Sequence, residues 1–166
     1  MKMTGEFLIS APRQTVWDAL NDAAILKDCL RGCESLERVS EDAFKMTITT
    51  KVGPVKTTLK GQLDLSDVDP PNGYTISGRA NGGPAGHAKG GANVRLIERE
   101  GVTVLTYDVS ATLGGKLAQM GSRVINGVAR KMADDFFGRF AGRLNEASGS
   151  AGVPPRAELN AATAKE

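Results

Sequence analysis

The sequence predicts an α+β domain in which a curved antiparallel sheet of about seven strands wraps around one long C-terminal helix. Stretches in which apolar and polar residues alternate recur from Met3 to Leu113, as in half-buried antiparallel strands. Turns rich in glycine and proline separate these stretches. From Gly114 to Ala147 the apolar residues instead recur every three or four positions, which is typical of an amphipathic helix about 30 residues long.

The N-terminal region predicts one strand followed by two short helices. Residues 3–9 alternate, and Pro12 stands where a proline suits the first turn of a helix. A second short helix is predicted to start at Asn21-Asp22 and to include Ile25 and Leu26, and Gly32 closes this helical stretch. The apolar residues that define the first of these helices are Val16, Trp17 and Leu20.

Five further strands follow from the alternation. They are predicted over residues 44–52, 55–65, 74–80, 88–96 and 105–113. Turns are predicted at Gly53-Pro54, at residues 69–73, through the glycine-rich segment after Ala80, and at Glu100-Gly101. The long helix follows the last strand, and its predicted apolar stripe consists of Leu117, Met120, Val124, Val128, Met132, Phe136, Phe140 and Leu144.

The composition bounds the class of protein. A chain of 166 residues is long enough for one domain with a real core, which we assign to residues 1–146. Residues 147–166 are rich in alanine, proline and glycine, and they predict a disordered tail. The net charge is +2 without a basic block, and aromatic residues make up 5%, so nothing indicates a nucleic-acid partner.

The sequence also predicts a cytoplasmic location. The first residues lead directly into a strand pattern without a signal peptide, and no run of 18 apolar residues predicts a membrane span. Cys29 and Cys33 are the two cysteines, and we interpret both as reduced structural thiols.

The inward rows of the predicted strands contain many small residues, which leaves two interpretations. Either the helix, which has glycines of its own, packs closely on the sheet, or the small residues leave a pocket. A pocket here has apolar walls that suit a lipid, quinone or polyketide, with Thr50, Thr57, Thr112 and the Tyr107 hydroxyl as polar groups. The residues predicted to line it are Met46, Ile48, Thr57, Leu59, Gly61, Tyr74, Ile76, Gly78, Ala80, Ala88, Gly90, Ala92, Leu105, Tyr107, Val109, Leu117, Met120, Gly121, Val124 and Val128.

Motifs for catalysis or metal binding are scarce. His87 is the single histidine and lies among glycines near a strand start, where a surface position is the simpler interpretation. The cysteine pair lacks partners for a tetrahedral zinc site, and Asp134-Asp135 fits a solvated helix face. The Gly82-Gly83-x-x-Gly86 segment has no lysine and opens no helix, so it does not predict a phosphate loop. We therefore expect no catalytic residue and no metal.

Several stretches together resemble one family. They are Gly5-Glu6-Phe7, Ala11-Pro12, Val16-Trp17, Leu30 to Glu34, Gly53-Pro54-Val55, Gly86 to Leu96, Thr103 to Tyr107, Gly114 to Arg123 and Phe136-Phe137. This pattern resembles the CoxG family of carbon monoxide dehydrogenase proteins, within the START-like (SRPBCC) helix-grip superfamily of hydrophobic-ligand binders. Arg31 departs from the family's usual Pro-Gly-Cys-Glu, and the Ala/Pro-rich tail carries no apolar anchor segment.

The resemblance implies a non-enzymatic accessory protein of a molybdenum hydroxylase such as aerobic carbon monoxide dehydrogenase. It implies that the cavity holds a quinone, menaquinone or ubiquinone, and that the protein links the enzyme to the membrane electron-transport chain. Transient contact with the inner face of the cytoplasmic membrane is expected on the same ground.

Two alternatives remain open at this stage. The same scaffold supports enzymes such as polyketide cyclases, aromatases and hydrolases, for which Tyr107, Arg79 and His87 are the available candidates. A surface-acting assembly or membrane-recruitment factor with an incidental cavity is the other. It would use a basic helix stripe formed by Arg123, Arg130, Lys131, Arg139 and Arg143.

Overall fold

A computed structural model of the protein describes residues 1–147. Of the predicted tail, residues 148–166 lie outside the described residues. The sheet is antiparallel, in the order β1-β7-β6-β5-β4-β3-β2, so six consecutive strands form a meander and the first strand pairs with the last. The strands are β1 (Lys2–Ile9), β2 (Cys33–Ser40), β3 (Ala43–Val52), β4 (Val55–Asp69), β5 (Gly73–Asn81), β6 (His87–Arg99) and β7 (Val102–Gly114). The predicted fold class is confirmed.

Strand β2 is the one that alternation did not reveal. It is the edge strand, and its pairing with β3 shifts register twice. Cys33 and Leu36 are half-buried, and the other six residues of the strand are exposed. An edge strand that is solvated on both faces has no reason to alternate, so its sequence carries no period-two signal.

Two short helices connect β1 to β2, as predicted. Helix α1 (Arg13–Leu20) starts after Pro12, and helix α2 (Ala23–Cys29) starts after Asp22. The Asp22 carboxylate accepts hydrogen bonds from the backbone N–H groups of Ala24 and Ile25, which satisfies two donors at the helix start. Both helices pack at one end of the sheet.

The prediction of one uninterrupted helix from Gly114 is wrong. Strand β7 runs on to Gly114, a single turn α3 (Lys116–Gln119) follows, and the long helix α4 begins only at Ser122 and ends at Ala147. Gly115 and Gly121 adopt φ values of 68° and 87°, a left-handed conformation that costs other residues about 1–2 kcal/mol. These two glycines separate strand, turn and helix, and α4 is about 39 Å long.

The apolar core consists of two clusters at opposite ends of the molecule. The larger one joins α1, α2, β1, β5–β7 and the C-terminal part of α4 through Ile9, Trp17, Leu105 and Phe140. The smaller one joins β3 and the start of the helical region through Val52, Leu117 and Ile125. The long helix is therefore anchored to the sheet near both of its ends.

Candidate ligand-binding site

Small residues form continuous rows across the inner face of the sheet. The pairing of β4 to β7 runs without a shift through Gly61, Gly78 and Gly90, so no bulge turns part of a row outward there. One row joins Leu63, Gly78, Gly90 and Ala111, and its neighbour joins Leu65, Ile76, Ala92 and Val109. The inward orientation predicted by alternation holds for these central strands.

A shallow cavity of about 230 Å³, widely open at its mouth, lies on these rows. Its inner-face lining is apolar and consists of Leu63, Ile76, Gly78, Ala88, Gly90, Ala92, Val109 and Ala111. Lys89, Gly91 and Ser110, from the intervening positions, complete the lining.

The long helix does not fill this space. A Cβ built on Gly78 would meet only the Leu63 side chain and the Gln62 carbonyl oxygen within 4 Å. A Cβ built on Gly121 or Gly127 of the helical region would meet nothing within 4 Å. The helix glycines therefore do not pack against the sheet glycines, and the close-packing interpretation of the small residues is wrong at these positions.

The other predicted lining residues do not line this cavity. Met46, Leu59, Gly61 and Ala80 are half-buried on the inner face of the sheet. The residues that are buried within the protein are Ile48, Thr57, Tyr74, Leu105, Tyr107 and Leu117. Met120 and Val128 pack against the smaller core cluster. Their part in ligand binding remains a prediction.

Two predicted positions are wrong. Val124 is 37% exposed, and Ile125, which the predicted stripe omits, takes the buried place on α4. The break at Gly121 leaves Val124 off the packed face, whereas the later stripe residues are half-buried or buried: Val128, Met132, Phe136, Phe140 and Leu144. Thr112 is paired with Lys89 on the outer face and is exposed, so it offers no polar group to the inner cavity.

Five residues of the cavity lining were not predicted, and for two of them, both on the inner face, the sequence contained a signal. Leu63 and Ala111 lie on the inward rows and line the cavity. Each pairs directly with a glycine, Leu63 with Gly78 and Ala111 with Gly90. Working out the strand register would have placed them in the lining.

The Tyr107 hydroxyl is held by a cation from the helix. Arg130 Nη1 donates to the Tyr107 hydroxyl oxygen at 3.1 Å and to the Thr4 carbonyl oxygen at 3.0 Å. The Tyr107 ring stacks on Phe137, which in turn stacks on Phe7. Burial raises the pKa of the Tyr107 hydroxyl, and the neighbouring Arg130 charge partly offsets this increase.

Thr57 carries a buried polar atom without a partner. Its side chain is 3% exposed, and its hydroxyl oxygen has no hydrogen-bond partner within residues 1–147. It shares the inner face with Leu59, and its Oγ1 lies 2.9 Å from where a Cβ on Gly82 would stand. A buried hydroxyl of this kind is free to bond a ligand acceptor.

A second groove, of about 390 Å³, lies between the helix and β3. Val128 and Met132 give it an apolar side, and Lys51, Lys56 and Lys131 give it cations. The ion pair between Arg31 Nε and Asp135 Oδ2, at 3.5 Å, lies within it. This side groove borders the inner face on the side of the helix opposite β1.

The remaining candidate residues do not form a reactive site. His87 is exposed at the start of β6. Both cysteines are free, and burial raises the pKa of each thiol, which disfavours the reactive thiolate. Among residues 1–147, no group of three His, Cys, Asp or Glu side chains is placed to hold a metal ion. Within the same residues, no helix has the length and apolar character needed to cross a membrane.

The predicted basic stripe on the helix is partly used for internal contacts. Arg130 is bonded to Tyr107 and Thr4, and Arg143 Nη1 pairs with Asp28 Oδ2 at 2.5 Å. Arg123, Lys131 and Arg139 are exposed. Two of the five cations are therefore engaged within the fold.

Comparison with solved structures confirms the fold. A conserved protein from Geobacillus kaustophilus superposes with a TM-score of 0.83 and is 30% identical, covering 89% of this chain and 97% of that chain. A START superfamily protein from Mycobacterium smegmatis is 8% identical with a TM-score of 0.68, covering 88% of this chain and 98% of that chain. The ZhuI aromatase/cyclase from Streptomyces sp. R1128 is 17% identical with a TM-score of 0.64, covering 92% and 98% of the two chains.

Sequence comparison defines the family. No curated protein sequence matches the chain. The profile of the CoxG family, named for the CoxG subunit of carbon monoxide dehydrogenase, matches residues 5–145, which is nearly all of the described chain. With its START-like sheet and helix, this chain belongs to the CoxG family.

Proposed function

We propose that this protein is a non-enzymatic carrier that holds a respiratory quinone, menaquinone or ubiquinone, against the inner face of its sheet. In this role it serves a molybdenum hydroxylase of the carbon monoxide dehydrogenase type and links that enzyme to the membrane electron-transport chain. The observation that carries the proposal is the apolar inner face, poor in side chains, which the long helix leaves unfilled in a member of the CoxG family.

The chemistry of the inner face suits a quinone. A quinone head is a flat apolar ring with carbonyl oxygens that accept hydrogen bonds. The Thr57 hydroxyl is a buried donor without a partner within the described residues. The Tyr107 hydroxyl oxygen accepts a hydrogen bond from Arg130, whose guanidinium can only donate. The hydroxyl hydrogen of Tyr107 is therefore available to an acceptor on a ligand. An isoprenoid tail is as apolar as the Leu63, Ile76 and Val109 side chains on the same face.

The lining favours a carrier over a cyclase. A cyclase of this fold needs an acid or a base positioned at the substrate. The inner-face residues that line the 230 Å³ cavity are all aliphatic residues or glycines. Of the three candidate residues, His87 and Arg79 are exposed, with Arg79 on the outer face, so only Tyr107 remains on the inner face.

The first experiment is organic extraction of the purified protein followed by mass spectrometry. The proposal expects a quinone in stoichiometric amount, or saturable binding when the protein is titrated with menaquinone and ubiquinone analogues. A bound fatty acid or phospholipid that quinones fail to displace would contradict it, as would the absence of any binding.

A pair of variants locates the ligand. Ala92→Phe places a phenyl ring on the inner face between Ile76 and Val109, and it is expected to abolish quinone binding. Asn93→Phe places the same ring on the opposite, exposed face and is expected to leave binding unchanged. Equal binding by both variants would place the ligand elsewhere.

The link to the hydroxylase has its own test. The partner enzyme, reduced by its substrate, is mixed with quinone-containing vesicles, and quinone reduction is followed with and without the carrier. The carrier is expected to accelerate the reduction, and Ala92→Phe is expected to remove this effect. An acceleration that survives in Ala92→Phe would favour a surface-acting assembly factor.

A further inference from the structure

The outer face of the sheet carries a cluster of cations that the proposed carrier role does not use. Strand pairing places Lys45, Gln62, Arg79 and Lys89 in one row across β3, β4, β5 and β6. Lys60 lies beside this row on β4. All four cations are exposed. We name Lys45, Lys60, Arg79 and Lys89 the cationic face.

The arrangement of these charges opposes folding. Arg79 and Lys89 are direct cross-strand partners, and like charges in such a pair repel each other. Lys51 and Lys56 form a second like-charged cross-strand pair in the β3–β4 hairpin, where both line the side groove. Within residues 1–147, neither Arg79 nor Lys89 forms a salt bridge. Repulsion within this pair is therefore not relieved by an ion pair in the described part of the chain.

The surface around these charges is grooved and polar. A groove of about 780 Å³ and another of about 550 Å³ are both lined by Arg79 and Lys89. Lys2, Asp64, Ser77, Ser110 and Thr112 contribute to the first, and Lys45, Lys60, Gln62, Asn81 and His87 contribute to the second. Neither groove is lined by Phe, Tyr, Trp, Leu, Ile or Val.

We propose that the cationic face docks an acidic, extended polypeptide segment of a partner protein. Lys45 and Lys89 are separated by three strand spacings, about 14 Å. In an extended chain, residues i and i+4 are also about 14 Å apart, and residues i, i+2 and i+4 point to one side. Acidic side chains four residues apart therefore match the separation of Lys45 and Lys89, the two ends of the row.

A polypeptide fits this face better than a lipid bilayer does. Surfaces that bind membranes peripherally combine cations with aromatic or leucine side chains that enter the headgroup region. The residues that line the two grooves of the cationic face include no Trp, Tyr, Phe or Leu. The inference does not depend on the ligand of the inner cavity, because the docking surface lies on the opposite face of the sheet.

The test uses a fluorescein-labelled peptide in which glutamate alternates with glycine, with a glutamine version as its control. Binding to the full-length protein is followed by fluorescence anisotropy at low and at physiological salt. We expect salt-sensitive binding of the glutamate peptide and none of the glutamine peptide.

Matched variants assign the surface. Arg79→Gln/Lys89→Gln is expected to weaken peptide binding by about tenfold or more, which corresponds to about 1.4 kcal/mol. Lys27→Gln/Arg99→Gln removes two exposed charges elsewhere and is expected to change the affinity by less than about twofold. Circular dichroism establishes that both variants are folded.

Three outcomes would overturn the proposal. The first is no binding of the glutamate peptide, and the second is an equal loss of binding in the two double variants. The third is that vesicles containing phosphatidylglycerol bind through Arg79 and Lys89 while the peptide does not, which would make the face a membrane contact. Since no quinone enters the assay, a failure here leaves the carrier proposal standing.

Discussion

Replacing Thr57 with valine is expected to stabilise the protein. The Thr57 side chain is 3% exposed, and its hydroxyl has no hydrogen-bond partner within residues 1–147. Burying an unpaired hydroxyl costs about 1–3 kcal/mol in proteins, and valine has nearly the same shape without that group. At the lower end of this range, Thr57→Val raises the free energy of unfolding by about 1 kcal/mol. For a chain of this size, that corresponds to an increase in Tm of about 2–4 °C.

Thr103 provides a matched control, because it is an equally buried threonine whose hydroxyl is satisfied. It is 0% exposed and donates to the buried Ala11 carbonyl oxygen at 2.7 Å. Thr103→Val leaves that acceptor without its partner, which costs about 1–3 kcal/mol. Thermal unfolding and urea titration of both variants should therefore give shifts of opposite sign for the same substitution.

A lowered Tm in Thr57→Val, similar to that of Thr103→Val, would refute this reasoning, because it would mean that the Thr57 hydroxyl is satisfied in solution. Quinone binding adds a second measurement. If the Thr57 hydroxyl donates to a quinone carbonyl, Thr57→Val should bind up to about tenfold more weakly although it is more stable. An unchanged affinity would remove Thr57 from the ligand site.

Three further predictions concern packing, backbone and titration. A Cβ on Gly5 would overlap the Tyr107 ring, so Gly5→Ala should lower the free energy of unfolding by about 1–3 kcal/mol. A Cβ on Gly127 would meet nothing within 4 Å, so Gly127→Ala should raise the free energy of unfolding by about 0.5–1 kcal/mol. Urea titrations that give equal effects for the two variants would contradict this. Gly121→Ala forces a side chain onto a φ of 87° and should lower stability by about 1 kcal/mol, whereas an unchanged Tm would show that α3 and α4 need no break. Burial raises the pKa of Tyr74 above its ordinary value near 10. Above about pH 10 the unfolded state loses the Tyr74 proton, whereas the folded state keeps it. The free energy of unfolding is therefore unaffected below about pH 10 and falls above that pH by up to about 1.4 kcal/mol per pH unit. Tyr74→Phe should flatten that fall in urea titrations from about pH 9 to about pH 11, and an unchanged pH profile would count against a buried neutral tyrosine.

The sheet could be predicted because most of its strands have one face in the core and one in solvent. Strands such as β3 and β7 therefore alternate strictly, and their turns carry glycine or proline. Edge strand β2, solvated on both faces, leaves no such signal. The helix was predicted too long because Gly121 and Gly115 fit a helical pattern as well as they fit a break, and only the backbone conformation separates the two.

The cavity was predictable in outline for a related reason. Period-two alternation assigns a face to each of Ile76, Gly78, Gly90 and Ala92, and an unbroken register then brings them together. The contact of Arg130 with Tyr107 could not be predicted, because it joins residues 23 positions apart through the rotation of the helix about its axis. That rotation is set by tertiary packing, as the misplaced Val124 shows.

The way the helix is held explains why the inner face stays open. Ile125 and Phe140 anchor α4 in two separate clusters near its ends, so neither end can settle closer to the central strands without disrupting a packed core. On the β1 side, Arg130 ties the middle of the helix to Thr4 and Tyr107. On the β3 side, the corresponding tie is the ion pair of Arg31 and Asp135, whose side chains are 67% and 30% exposed. An ion pair this exposed contributes at most about 1 kcal/mol to stability. The contact between the helix and the sheet is therefore weaker on the β3 side than on the β1 side, and the side groove lies at this weaker contact.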